Sequence, residues 1–160
     1  GWVSGFQITL AAVQREDLSL VRWVRHHGCP WHEEFSLKVA RLALGNSYVA
    51  SNALRWAVRN GCRLPAEATL VAASAGDVDL MSCLVHARCP WHPETSLRLA
   101  ARQDFAFFRW TMQRGCPWHP RTSLVIARRE NASMQEWALR QGYAWHEEGA
   151  EWPVEAEAEG

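Results

Sequence analysis

Apolar positions return along this chain in matched blocks, each set behind one short polar residue. Leu18, Leu20, Val21, Trp23 and Val24 follow Asp17, and Val78, Leu80, Met81, Cys83 and Leu84 follow Asp77. Phe105, Phe107, Phe108, Trp110 and Met112 follow Asp104, and Ala132, Met134, Trp137 and Leu139 follow Asn131. Such spacing lays an apolar stripe along one side of a helix. The aspartate or asparagine ahead of each block can accept a hydrogen bond from a free backbone N–H of the first turn, so it predicts where that helix starts. Gly28, Gly61, Gly115 and Gly142 stand just past these blocks, where a left-handed residue closes a last turn. We term this predicted element helix B.

A second apolar run precedes each block. Pro93-Glu94-Thr95-Ser96-Leu97-Arg98-Leu99-Ala100-Ala101-Arg102 and Pro120-Arg121-Thr122-Ser123-Leu124-Val125-Ile126-Ala127-Arg128-Arg129 are alanine-bearing and open on proline. Proline is tolerated at the first helical position because its missing N–H would be an orphan there, so these runs predict a short helix A. Between B and the next A lies a repeated phrase: Gly28-Cys29-Pro30-Trp31-His32, Arg88-Cys89-Pro90-Trp91-His92 and Gly115-Cys116-Pro117-Trp118-His119, eroded at Gly61-Cys62 and at Gly142-Tyr143-Ala144-Trp145-His146. The residue before a proline is biased away from helix, so the phrase reads as an extended return. Starts at 61, 88, 115 and 142 are 27 residues apart, and the step from 28 to 61 is 33. Gly45-Asn46-Ser47 is read as a longer inter-helix turn that takes up the six extra residues.

Self-similarity at such a period is the mark of a solenoid, whose units cannot bury their apolar faces alone. The expected organisation is an array over residues 1–146, with units 1–27, 28–60, 61–87, 88–114 and 115–141 and a stub at 142–146, followed by an acidic tail at 147–160. The phrase Cys-Pro-Trp-His-Pro-Glu-Thr-Ser, the Ala-rich helix, and a second helix carrying Arg109-Trp110 or Glu136-Trp137 before the next motif resemble the shortened ankyrin-like repeats built on a Gly-Cys-Pro-Trp-Asp motif. Histidine stands here where that family usually has aspartate, and Cys62-Arg63-Leu64-Pro65 has lost the tryptophan. The resemblance implies an all-α, ankyrin-like helix-turn-helix solenoid. Ordinary ankyrin units run to about 33 residues, so the shorter unit implies shortened or absent β-hairpin fingers.

Ten tryptophans in 160 residues are mostly explained by the period. Trp31, Trp91, Trp118 and Trp145 occupy the motif, and Trp23, Trp56, Trp110 and Trp137 occupy one position of helix B. Each brings a large apolar area, and the set is expected to fill the seams between units, with an aromatic platform for bases or methylated side chains as the competing reading.

Charge changes the picture further. The net charge is zero, but Glu147, Glu148, Glu151, Glu155, Glu157 and Glu159 all follow residue 146, leaving 11 acids against 17 basic residues before it. The body is therefore at +6. Candidate partner-binding residues are Arg15, Lys38, Arg41, Arg98, Arg102, Arg128 and Arg129, on helix A or near its end. They suit an acidic protein surface or, in a second reading, RNA, although cations at a helix C-terminus also answer the helix dipole. The tail is expected to cover this arginine surface transiently.

Chemistry is expected to be absent. Cys29/His32, Cys89/His92 and Cys116/His119 have a zinc-like spacing. Equivalent residues of adjacent units would stand roughly 8–10 Å apart, whereas four tetrahedral ligands must crowd within about 4 Å of each other. The cysteines therefore read as small buried groups, not metal ligands or disulfides, and His92 and His119 as substitute caps. No paired-carboxylate, phosphate-loop or nucleophile-elbow signature is seen. The expected function is a non-catalytic protein-interaction module or scaffold, with no cofactor, metal or small-molecule substrate. An RNA-associated scaffold is the alternative. No apolar run approaches the roughly 18 residues of a membrane span, and the expected location is intracellular. The chain opens without methionine at the start of a repeat, which fits a processed product or a piece of a longer array.

Overall fold

In a computed structural model of the chain, residues 7–8, 11–12, 15, 17–28, 33–44 and 48–145 are described. The motif copy Cys29-Pro30-Trp31-His32, the turn Gly45-Asn46-Ser47, His146, the acidic tail, Trp2 and Trp152 lie outside the described residues. Within them the chain is helical, with no strand. The capped starts read from the sequence hold. Asp17, Asp77, Asp104 and Asn131 accept from the backbone N–H of Leu20, Leu80, Phe107 and Met134 at 3.0, 2.9, 3.0 and 3.0 Å. These caps open α1 (Leu18–His26), α5 (Val78–His86), α7 (Phe105–Met112) and α9 (Ala132–Arg140). Between them lie α2 (Glu33–Leu44), α3 (Tyr48–Arg59), α4 (Glu67–Ala75), α6 (Thr95–Arg102) and α8 (Thr122–Arg128).

One local expectation is corrected, and the described helices of the second unit are longer than those of the third. Helices α2 and α3 have 12 residues each where α4 and α5 have 9. Against the expectation, proline stands ahead of the helix and not at its first position. Pro93 and Pro120 sit in a turn closed by Thr95 N–H to His92 C=O at 3.0 Å and Thr122 N–H to His119 C=O at 2.9 Å, and the helix starts at the threonine.

Each A helix packs on the B helix that follows it: α2 on α3, α4 on α5, α6 on α7 and α8 on α9. The A helices also pack in sequence, α2 on α4, α4 on α6 and α6 on α8, while α1 meets α3, α3 meets α5 and α7 meets α9 among the B helices. The seam is apolar. Val21, Leu54, Val71, Leu80, Met81, Leu84, Leu99, Phe108, Ile126 and Met134 are buried in one continuous cluster. Short helices of 7 to 12 residues are marginal alone, so this shared burial holds them.

The B helices end on a left-handed residue, as at Gly61 (φ 78°) and Gly115 (φ 90°). In the fourth unit that place is taken by Arg88 (φ 54°), whose neighbour Cys89 donates back to the Leu84 carbonyl at 3.0 Å. A side chain in this region costs about 1–2 kcal/mol. Arg88 is exposed, so its own contacts are few. Arg88→Gly is expected to raise stability by about 0.5–1 kcal/mol in urea melts. A loss would mean that the arginine side chain contributes more than its backbone strain removes. The A helices show the same device, unread in the sequence, at Gly76, Gln103 and Glu130 (φ 68°, 60° and 52°), again 27 apart.

Candidate functional site

The repeated motif turns out to be a joint between units. Thr69 Oγ1 donates to the Ala66 carbonyl at 2.7 Å, which leaves its lone pairs for Thr95 Oγ1 at 3.0 Å and for the His92 N–H at 3.0 Å. One unit later Ser96 Oγ pairs with Thr122 Oγ1 at 3.1 Å and accepts the His119 N–H at 2.8 Å. Thr69, Thr95, Ser96 and Thr122 are all buried. A hydroxyl on one A helix thus clasps both the motif backbone and the A helix of the next unit. The sequence carries this signal in Ser36, Thr69, Ser96 and Ser123, in phase in four units, but a hydroxyl in an alanine-rich run does not by itself mark a joint.

Histidine and cysteine are used separately. His92 Nδ1 accepts from the Glu94 N–H at 3.2 Å and His119 Nδ1 from the Arg121 N–H at 3.1 Å. Each therefore caps the turn that leads into the A helix, two residues ahead of the N-cap position. The Cys89 thiol points at the carbonyls of Leu64 and Pro65, at 3.5 and 3.4 Å. Burial raises Cys62 and Cys89 from 9.0 to about 11 and Cys116 from 9.0 to about 12, because a thiolate there would lose its hydration. Among the described residues no group of three or more His, Cys, Asp or Glu side chains is placed to share a metal ion.

A pH prediction follows with a definite sign. The folded state holds these protons more tightly than the unfolded chain, so their stabilisation is complete below about pH 9 and is lost as pH rises towards 11–12. The melting temperature is expected to fall through that window, and a Cys116→Ala variant to fall less. Equal slopes for the two proteins would remove the buried thiol as the cause. At neutral pH the same thiols should alkylate only on unfolding.

The tryptophans divide into two kinds. Trp118 stacks on Tyr143 (centroids 4.5 Å, planes 10° apart) and meets Phe108 edge-on at 6.4 Å. Trp137 packs edge-on to Phe105 and Phe108 and tilts against Tyr143. Trp91, Trp56 and Trp110 are half-buried against the core, and the Arg114 guanidinium lies 3.7 Å above the Trp110 ring. Trp23 departs from the expectation that this position fills a seam: it is 57% exposed and stacks on His27. Pro90 and Pro117 are exposed, as turn prolines. Trp31, Cys29 and Pro30 lie outside the described residues.

The candidate cations are all exposed: Arg15 ahead of α1, Lys38 and Arg41 on α2, Arg98 and Arg102 on α6, Arg128 on α8 and Arg129 beyond it. The structure does not gather them into one strip. Helix α4, packed between α2 and α6, has the sequence EATLVAASA and carries no cation. Arg102 is also engaged internally. Its Nη1 donates to the Ser74 carbonyl at 2.9 Å, and its guanidinium covers Gly76, where an added Cβ would stand 2.6 Å from Cζ. Arg55, on α3, pairs with Asp77 and, at 3.1 Å, with Asp79 on α5.

What the structure adds is a groove of about 770 Å³ between α1 and α3, lined by Arg22, Trp23, Arg25 and His26 on α1, by Trp56 on α3 and by Asn60 just beyond it. Two indoles beside guanidinium groups can hold an anionic ligand with an apolar portion. Sequence reading missed it because α1 and α3 meet across a turn and a helix, and neither block alone shows the pair. No helix among the described residues is long and apolar enough to cross a membrane. Comparison with protein-family models, with curated proteins and with solved structures finds no match to this chain.

Proposed function

We propose that the chain is an ankyrin-like solenoid acting as a non-catalytic protein-interaction module, with no cofactor and no small-molecule substrate. The observation that carries this reading is that the residues with chemical potential are repeated and turned inward to the joints. His92 and His119 cap turns, Cys89 and Cys116 are packed thiols, and the hydroxyls clasp neighbouring units. A surface built from stacked short units is then left for recognition, as in other repeat proteins.

The second reading, an RNA-associated scaffold, draws on the +6 body. Engagement of Arg55 and Arg102 within the protein and the cation-free α4 between the basic helices favour the protein partner. A salt-titrated binding assay with single-stranded RNA separates the two. The protein-interaction reading expects no measurable affinity at physiological salt. Affinity that falls steeply with log salt, as counterion release requires, would replace it with the RNA reading.

A further inference from the structure

Trp23, Trp56, Trp110 and Trp137 share one position of the B helices, so they serve as controls for one another. Trp137 is held by Phe105, Phe108 and Tyr143, and Trp110 by the guanidinium of Arg114. Trp23 is left 57% exposed, yet its ring is fixed in place: His27 stacks on it at 3.9 Å, and His27 Nδ1 meets the Trp23 carbonyl at 2.8 Å. A rigid indole left in water presents apolar area that a ligand can cover at little entropic loss. Arg22, Arg25 and His26 stand round it, and the described lining of the groove contains no acid. Such a site selects an acidic peptide with an aromatic or apolar residue within it.

We propose that the α1–α3 groove docks the chain's own acidic segment, residues 147–160; this builds on the interaction-module reading. The segment matches the groove in charge and in kind, with Glu155, Glu157 and Glu159 alternating with Ala156 and Ala158 beyond the apolar Val154. It differs in place from the helix A arginines first expected to receive the tail. Reach permits it. From α3 to α9 is three repeats, roughly 25–30 Å at about 8–10 Å per packed helix. At about 3.3–3.6 Å per residue the stretch from 146 extends up to roughly 26–29 Å at Val154 and about 50 Å at residue 160, so residues 154–160 are the part that reaches the groove. Tethering places the segment near the groove at an effective concentration of order millimolar. The groove is then an acidic-peptide site that an external partner enters by displacing the chain's own segment.

The test uses full-length chains and a fluorescent peptide with the sequence of residues 147–160, followed by anisotropy. One chain keeps its native segment, and a second carries E147Q, E148Q, E151Q, E155Q, E157Q and E159Q, which neutralise it. The neutralised chain is expected to bind the peptide at least tenfold more tightly than the native one, because its groove is vacated. Placing Arg22→Glu or Trp23→Ala in the neutralised chain is expected to remove at least tenfold, while Arg98→Glu and Arg128→Glu on α6 and α8 leave affinity within about twofold. Both groove residues are exposed, so these variants should keep the parent's helical circular dichroism. Equal peptide affinity for native and neutralised chains would overturn the proposal, as would loss through Arg98 and Arg128 in place of Arg22 and Trp23. Displacement of the peptide by single-stranded RNA of equal charge at equal concentration would also overturn it. The RNA titration on the intact chain is a separate measurement, so the docking proposal and the interaction-module reading fail separately.

Discussion

Phe108→Ala is expected to destabilise the protein by about 3–5 kcal/mol, the range for removing a buried aromatic ring from a core that cannot collapse around the loss. Phe108 has no solvent exposure and lies where two units meet, with Trp118 at 6.4 Å and Trp137 at 5.9 Å, both edge-on. Those indoles are themselves braced by Tyr143, at 4.5 and 5.9 Å. Aromatic pairs of this geometry add about 0.5–1.5 kcal/mol each beyond area burial. Trp110, two residues on, has one ring face under the Arg114 guanidinium, so Trp110→Ala should cost markedly less. Trp23→Ala, at a site 57% exposed, should stay within about 0.5 kcal/mol. Urea melts of the three variants check the order. Equal losses would mean that the aromatic junction is not what joins the last units.

The second large effect is expected at the hydroxyl clasp. Thr69→Val keeps the side-chain shape but removes the acceptor for the His92 N–H and the partner of Thr95 Oγ1, both within the buried seam. A buried polar group left without a partner costs about 1–3 kcal/mol, and two are orphaned here, so a loss of about 2–4 kcal/mol is expected. Thr95→Val alone should cost less, because Thr69 still holds the His92 N–H and the Ala66 carbonyl. The double variant should lose less than the sum of the two, since the hydroxyl pair is removed with both of its members. Strict additivity in the urea melts would show that the two threonines do not form one clasp across the unit boundary.

The helix starts were legible because capping is local: Asp17, Asp77, Asp104 and Asn131 act on an N–H three residues away. Glycine past the end of four of the B helices, at 28, 61, 115 and 142, was legible for the same reason. Less was legible where a choice depends on neighbours in space. The 33-residue unit could place its surplus in a turn or in the helices, and α2 and α3, which pack on each other, are each longer than α4 and α5. Trp23 and Trp137 share a sequence position, but Phe105, Phe108 and Tyr143 reach only the second of them. The cations were legible as residues and not as a surface, because the helix that interrupts them, α4, is uncharged except for Glu67.

Stacking in line is the claim on which the rest depends, and distances between equivalent positions test it most directly. Ser19, Ala106 and Ser133 are exposed and hold the same register in the B helices of units one, four and five. Spin labels introduced there through an unnatural side chain avoid the native cysteines. At about 8–10 Å per unit, a linear array requires pulsed dipolar spectroscopy to give roughly 24–30 Å for Ser19–Ala106 and roughly 32–40 Å for Ser19–Ser133. A Ser19–Ser133 distance equal to or shorter than Ser19–Ala106 would mean that the units fold back on themselves, and the solenoid would be contradicted.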